Sequence, residues 1–240
     1  MRTVESDKQQ KSMKQVHLPL RSENLSESNN EKRGARIRGC IFDLDGTLLD
    51  SLDLRIKAWK KAFDHEGIPS GPDQIRPLIG IPGKDLVMKI GGDPEKIEML
   101  QEENFSHYRD EVHYFEDVYP TVRELEKFGL RLCIVTSSRK SMLEKMDLPV
   151  KDYVCIDDVV RGKPDSEPYE KALEKIRLRG EEVMVIGDVE TDMIPARSLG
   201  SVAVLVRHGR DTNSEFADFY IDNIGETLPL IKHINRTGQP

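Results

Sequence analysis

The chain has 240 residues, 37% of them apolar and 33% charged, enough for one good-sized domain or two small ones with a soluble surface. It holds no run of about 18 apolar residues, so no membrane span is expected. Residues 1–36 carry eight Lys/Arg against five Asp/Glu, but the remainder carries 28 against 38, a net of −10 that argues against a nucleic-acid surface.

Residues 1–36 are rich in Ser, Asn, Gln, Glu and Lys, the composition of a disordered tail, and lack the apolar stretch of a secretory signal or an amphipathic anchor. The first apolar run, GCIFDL at 39–44, then begins a core. From Leu52 to about Tyr119 no strand is expected. Leu52, Ile56, Trp59 and Phe63 form a helical stripe closed by Gly67. Further stripes run from Leu86 to Ile90 and from Ile97 through Tyr108 to Val112, divided by the turns IPSGP, GIPG and GGDP. Residues 52–117 therefore read as a helical unit inserted into an α/β core of residues 37–51 and 118–240.

Beyond the insertion, strand-like and helix-like patterns alternate. Val122, Leu125 and Phe128 are spaced by three before Gly129; RLCIVT follows at 131–136, then the stripe Met142, Leu143 and Met146. DYVCI at 152–156 precedes Tyr169, Ala172, Leu173 and Ile176, and VMVIG stands at 183–187. Pro195, Ala196 and Leu199 open a helix with proline in its first turn. VAVLV at 202–206 is followed by FADFYI at 216–221, an edge-strand candidate. The apolar runs lack polar alternation, as strands buried on both faces of a parallel sheet do. The fold expected is a doubly wound, Rossmann-like α/β sheet with an inserted helical domain. Cys40, Cys133 and Cys155 show no metal spacing and read as small buried hydrophobes of a reduced cytoplasm.

Ligands of a parallel sheet bind beyond the carboxyl ends of its strands. The first strand ends in DLDGT, where Asp43 and Asp45, two residues apart in extended chain, face one pocket and Gly46 permits a sharp turn. Thr136-Ser137-Ser138 follows the second strand; these hydroxyls suit either a phosphate oxygen or a helix N-cap. Lys163 precedes a proline that disfavours helix, and a lysine held there can neutralise a phosphate or a carboxylate. GDVETD adds Asp188 and Asp192, which cap a helix or gather with the first two acids. Four acids so gathered need a cation, and hard oxygen donors suit magnesium, Mg2+.

The motifs FDLDGTLLDS, IVTSS, GKPDSEPY and GDVETD resemble those of the haloacid dehalogenase-like superfamily of phosphohydrolases. The likeness extends over residues 38–233, and the helical insertion looks like that superfamily's type 1 cap. The phosphoglycolate phosphatase and β-phosphoglucomutase group is nearest in flavour. The resemblance implies that Asp43 is the nucleophile that becomes an aspartyl-phosphate and that Asp45 is the general acid and base. It implies magnesium held by Asp43, the Asp45 backbone carbonyl and Asp188. Thr136, Ser137 and Lys163 would bind the phosphoryl group, with Asp192 in support and Pro164 in the cis form. Thr121, Pro195 and Leu199 depart from the usual pattern without touching this chemistry.

A phosphatase acting on a small phosphorylated metabolite is expected. The mutases of this group carry basic residues in the loop matching PLIGIPGKDL, where this chain has Ile79 and Gly83. A catalytically silent binding module would lack one of the five charged motif residues, all present here. Arg76 and Lys84 are the candidates for reading the substrate from the cap. Neither a nucleic acid nor a membrane is an expected partner, and the chain is a monomer or weak dimer on this reading.

Overall fold

The computed structural model describes residues 35–238, so the polar tail expected over 1–36 lies outside the described residues apart from its last two positions. The chain enters through β1 (Gly39–Phe42) and the short β2 (Leu49–Asp50), then forms α1 (Leu52–His65), α2 (Pro72–Ile75), α3 (Gly83–Ile90) and α4 (Pro94–Ser106). It returns through β3 (His113–Tyr114) to α5 (Val118–Lys127), β4 (Arg131–Val135), α6 (Lys140–Leu143) and β5 (Tyr153–Val154). The last elements are α7 (Glu167–Ile176), β6 (Val183–Gly187), α8 (Glu190–Ser198), β7 (Val202–Val206), β8 (Phe219–Ile221) and α9 (Thr227–Thr237).

Six strands form one parallel sheet in the order β5-β4-β1-β6-β7-β8. The chain builds one half outward from β1 to β5, then crosses back to β6 and builds outward to β8. The topological switch therefore lies between β1 and β6, where a crevice opens at the carboxyl ends. Period two decides which face each residue serves. Cys40, Phe42, Leu132, Ile134, Met184 and Ile186 pack with α5, α6 and α9 on one face. Ile41, Cys133, Val135, Val183 and Val185 pack with α7 and α8 on the other. Both faces are covered, which is why the strands read as unbroken apolar runs. The FADFYI run supplies the edge strand β8, and the three cysteines are buried and free.

The inserted helices have their own core of Ile56, Trp59, Phe63, Ile75, Leu86, Val87 and Ile97. Two features differ from the sequence reading there. The helical stripe expected to reach Val112 stops at Ser106, and His113–Tyr114 instead pairs antiparallel with Leu49–Asp50. These paired segments carry the chain out of the core and back, and a ladder of two residues is too short to leave a periodic signature. Downstream, Pro195 stands well inside α8 rather than in its first turn, because the helix already starts at Glu190 with Glu190 and Asp192 favouring its positive end. The missing N–H then leaves one carbonyl of the preceding turn without its helical donor. Phe128 is also outside the core, 41% exposed beyond α5.

Phe42 is fully buried in the central strand beside the crevice. Phe42→Ala should cost about 3–5 kcal/mol, measured as a lower urea midpoint with an unchanged m-value.

Candidate active site

The crevice is built by the turn that follows β1. The Asp43 N–H donates to the Ile186 carbonyl at 2.9 Å, extending the ladder to the first acid. The chain then folds on itself, with the N–H groups of Leu48 and Leu49 both donating to the Leu44 carbonyl at 2.9 Å. Gly46 has φ +83°, and a Cβ there would come within 2.3 Å of the Asp188 carboxylate. Left-handed backbone and close approach together require glycine in DLDGT.

Asp43, Asp188 and Asp192 are buried together, with carboxylate oxygens within 4.8 Å of one another. Lys163, only 2% exposed, bridges two of them: its Nζ donates to Asp43 Oδ1 at 2.5 Å and to Asp192 Oδ1 at 2.7 Å. The Lys163–Pro164 peptide is cis. Tyr169 adds a hydroxyl to Asp192 Oδ1 at 2.7 Å. Arg210 donates to Asp188 Oδ2 at 2.9 Å and to the Gly46 carbonyl at 2.8 Å, tying the acid to the turn. Burial opposes the ammonium of Lys163, but Asp192 and Asp43 outweigh it and push its pKa up. Burial raises Asp43 well above the usual carboxylate range against the pull of Lys163, and repulsion from Asp192 and Asp188 adds to the rise. Three carboxylates thus meet two cations. The buried Asp192 Oδ2 has no hydrogen-bond partner. This donor set, all hard oxygen and one charge short of neutral, fits a divalent cation such as Mg2+.

Asp45 lies on the same cavity wall but in other company. Arg55 of α1 grips it with both forks, Nε to Oδ1 and Nη2 to Oδ2, each 2.9 Å. Ser51 donates to Oδ1 at 2.7 Å and Ser138 to Oδ2 at 2.9 Å. Burial works against the charge, yet Arg55 and the hydroxyls win and hold the Asp45 carboxyl below its ordinary range. The two acids of DLDGT therefore differ in environment as well as position.

Thr136 and Ser137 line the same small cavity of about 70 Å³. The Ser137 hydroxyl donates to the Gly80 carbonyl at 2.9 Å, and Thr136 Oγ1 accepts the Ser138 N–H at 3.1 Å. Arg76 and Lys84 are not brought to this cavity. Arg76 is half exposed and pairs with Asp53 at 2.8 Å on the outer surface. Lys84 lines a neighbouring groove with Asp85 and Arg161, which shares Glu98 and Arg139 with the cavity. The chain between them reaches inward instead, through Ile79, Gly80, Ile81 and Gly83.

Arg55, Ser51, Tyr169 and Arg210 carry no expectation from the sequence, and Ser138, one of the hydroxyls after the second strand, serves Asp45. Arg55 had a signal: it lies on the Leu52–Trp59 face of an amphipathic helix, where a charge demands a buried partner. Arg210 follows β7, a strand end whose loop offers no recognisable pattern.

Burial pushes the Asp188 carboxyl up to about 6, with Arg210 opposing the rise. An acid whose folded pKa exceeds its unfolded value of about 3.9 binds more protons when folded, so it costs stability as pH rises from about 4 through 6. A cation among the three acids removes that cost. Mg2+ should therefore raise the melting temperature more near pH 7 than near pH 5. Equal shifts at both pH values would remove this triad as the binding site.

The model of haloacid dehalogenase-like hydrolases matches residues 40–206. Pyrophosphatase PpaX of Bacillus cereus is 33% identical, over 84% of this chain and all of the relative. A hydrolase of known structure from Pseudomonas syringae superposes with a TM-score of 0.75 at 26% identity, covering 82% of this chain and 99% of that one. CbbY from Rhodobacter sphaeroides, solved in complex with phosphate, shares the fold with a TM-score of 0.68 at 20% identity, over 79% and 96% of the two chains. With its four motifs gathered at one crevice, the chain belongs to the haloacid dehalogenase-like hydrolases.

Proposed function

We propose that this hydrolase is a magnesium-dependent phosphatase acting on a small phosphomonoester through an aspartyl-phosphate on Asp43. The observation that carries the reading is the division of labour within DLDGT. Asp43 faces Lys163 and the acid cluster, whereas Asp45 faces Arg55 and two hydroxyls on the same cavity wall. The PpaX relative, by name, supports phosphoryl hydrolysis.

In this mechanism an Asp43 oxygen attacks phosphorus as the bond to the alcohol oxygen breaks, and Asp45 gives that oxygen its proton. Asp45, now a carboxylate, takes a proton from water. The resulting hydroxide attacks phosphorus, the bond to Asp43 breaks, and inorganic phosphate leaves. Arg55 holds Asp45 in the basic form that the second step uses. A phosphate dianion entering beside Asp45 favours its protonated form, which the first step uses. Lys163, steadied by Asp192 and Tyr169, keeps Asp43 aimed and offsets its charge. Asp43, Asp188 and the Asp45 carbonyl would hold Mg2+, with Asp192 Oδ2 in reserve. When bound, the ion neutralises charge on the transferring group. Thr136 and Ser137 would receive phosphoryl oxygens, with Ser137 exchanging its bond to Gly80 for the substrate.

The helices of residues 52–106 would act as the cap. Ile79 and Gly83, facing the cavity where a mutase carries basic residues, favour a phosphatase over a mutase. Three buried, unbridged cysteines agree with a reduced cytoplasmic setting.

Asp43→Asn should abolish Mg2+-dependent hydrolysis of p-nitrophenyl phosphate; equal rates in the two proteins would mean a different mechanism or a silent fold. Inorganic phosphate should appear without a bisphosphate activator, which a mutase needs. Asp45→Asn should lower kcat on an alkyl phosphate by about 10²–10⁴. Arg55→Gln should raise the pKa of Asp45 and move the alkaline limb of the kcat/KM profile to higher pH, a shift absent if Arg55 only packs.

A further inference from the structure

Helix α4 supplies part of the cavity wall that the inserted segment contributes. Its residues Glu98, Gln101 and Glu102 stand at i, i+3 and i+4, so they share one helix face. All three line the catalytic cavity. Glu98 is 8% exposed and Gln101 3%, beside the apolar Ile97 and Phe105 of the same helix. A polar stripe on the inward face of a helix is costly unless something there answers it.

Arg139, from the loop after β4, answers part of it. Its Nη2 lies 2.7 Å from Glu98 and its Nε 2.6 Å from Glu102. Counting the cavity-lining residues alone, one guanidinium against two carboxylates leaves this end at a formal net of −1, and Arg139 also stands 3.5 Å from Asp157 outside the cavity. Gln101 is untouched by that pairing, and its buried Nε2 has no partner. The other cation on the cavity wall, Arg55, is engaged by both oxygens of Asp45. Among the described residues lining the cavity, no cation remains to receive a second anionic group.

The phosphoryl group is served by the strand ends, so the α4 face meets the alcohol half of the substrate. We infer that the site selects a small alcohol free of negative charge and rich in hydrogen-bond donors, a polyol or amino alcohol phosphate. Its hydroxyl or ammonium hydrogens would reach Glu98 and Glu102, and Gln101 Nε2 would donate to a hydroxyl oxygen. The inference rests on the phosphatase reading and narrows it. Pyrophosphate, whose leaving group is itself a phosphate anion, is disfavoured here although relatives carry the name pyrophosphatase. Phosphoglycolate, with a carboxylate on its leaving group, is disfavoured for the same reason.

The test compares kcat/KM in Mg2+ for glycerol phosphate and phosphoethanolamine with that for phosphoglycolate and pyrophosphate, with acetyl phosphate as the measure of basal chemistry. At least one of the first two should exceed both anionic substrates by about tenfold or more. Glu102→Gln, at a position 37% exposed and therefore tolerant, brings the formal charge at that end to zero. It should narrow the ratio by about threefold or more, chiefly by improving the anionic substrates. Wild-type preference for phosphoglycolate or pyrophosphate, with acetyl phosphate still hydrolysed, overturns the selectivity and leaves the phosphatase reading standing. A ratio unmoved by Glu102→Gln overturns it as well. Failure to hydrolyse any of these compounds, acetyl phosphate included, takes down the phosphatase reading and this inference with it.

Discussion

The structure turns on one buried ammonium. Lys163 is withdrawn from water and survives as a cation because Asp43 and Asp192 sit within hydrogen-bond distance on either side. Removing either partner would strand a charge in the interior, at a cost of about 3–5 kcal/mol. That requirement fixes three separate segments against one another: the end of β1, the approach to α7 and the start of α8. Tyr169 and Arg210 extend the same logic outward, one through Asp192 and the other through Asp188 and the Gly46 carbonyl. The cluster still lacks one positive charge, the shortfall that the proposed cation would answer.

The second constraint is that the cavity belongs to two bodies of the chain. Arg55 reaches from α1 to Asp45, Arg139 reaches from the core to α4, and Ser137 reaches to the Gly80 carbonyl. Each of these joins a partly or fully desolvated polar group across the boundary, where such contacts are stronger than on an open surface. The inserted helices therefore do more than cover the crevice. They supply the partner that sets the ionisation of Asp45, and a wall that carries Glu98 and Glu102.

Much of this was legible in the chain. Unbroken apolar runs at five places announce strands buried on both faces, and the residues after them announce a crevice lined by Asp43, Asp45, Lys163, Asp188 and Asp192. Misreadings fell where local pattern is weakest. The His113–Tyr114 ladder is too short to have a period, and α8 already starts at Glu190, where Glu190 and Asp192 favour its positive end, rather than at its proline. Arg76 and Lys84 looked suitable because they are charged and near the loop, yet a helix rotation decides which side chains of a loop face inward. Arg139, beside a predicted phosphate motif, gave no hint that its partners lie on α4.

The sequence by itself determined the fold class, the position of the crevice and the acids gathered there, because period and strand-end position are local properties that a linear pattern records. Only the tertiary structure decided how those acids differ. Asp43 and Asp45 are the same residue type two positions apart, and what separates them is a lysine 120 residues downstream for one and an arginine on the inserted helix for the other. Ionisation depends on burial and on charges within a few ångströms, and distances of that kind are set by packing between segments that the sequence keeps far apart.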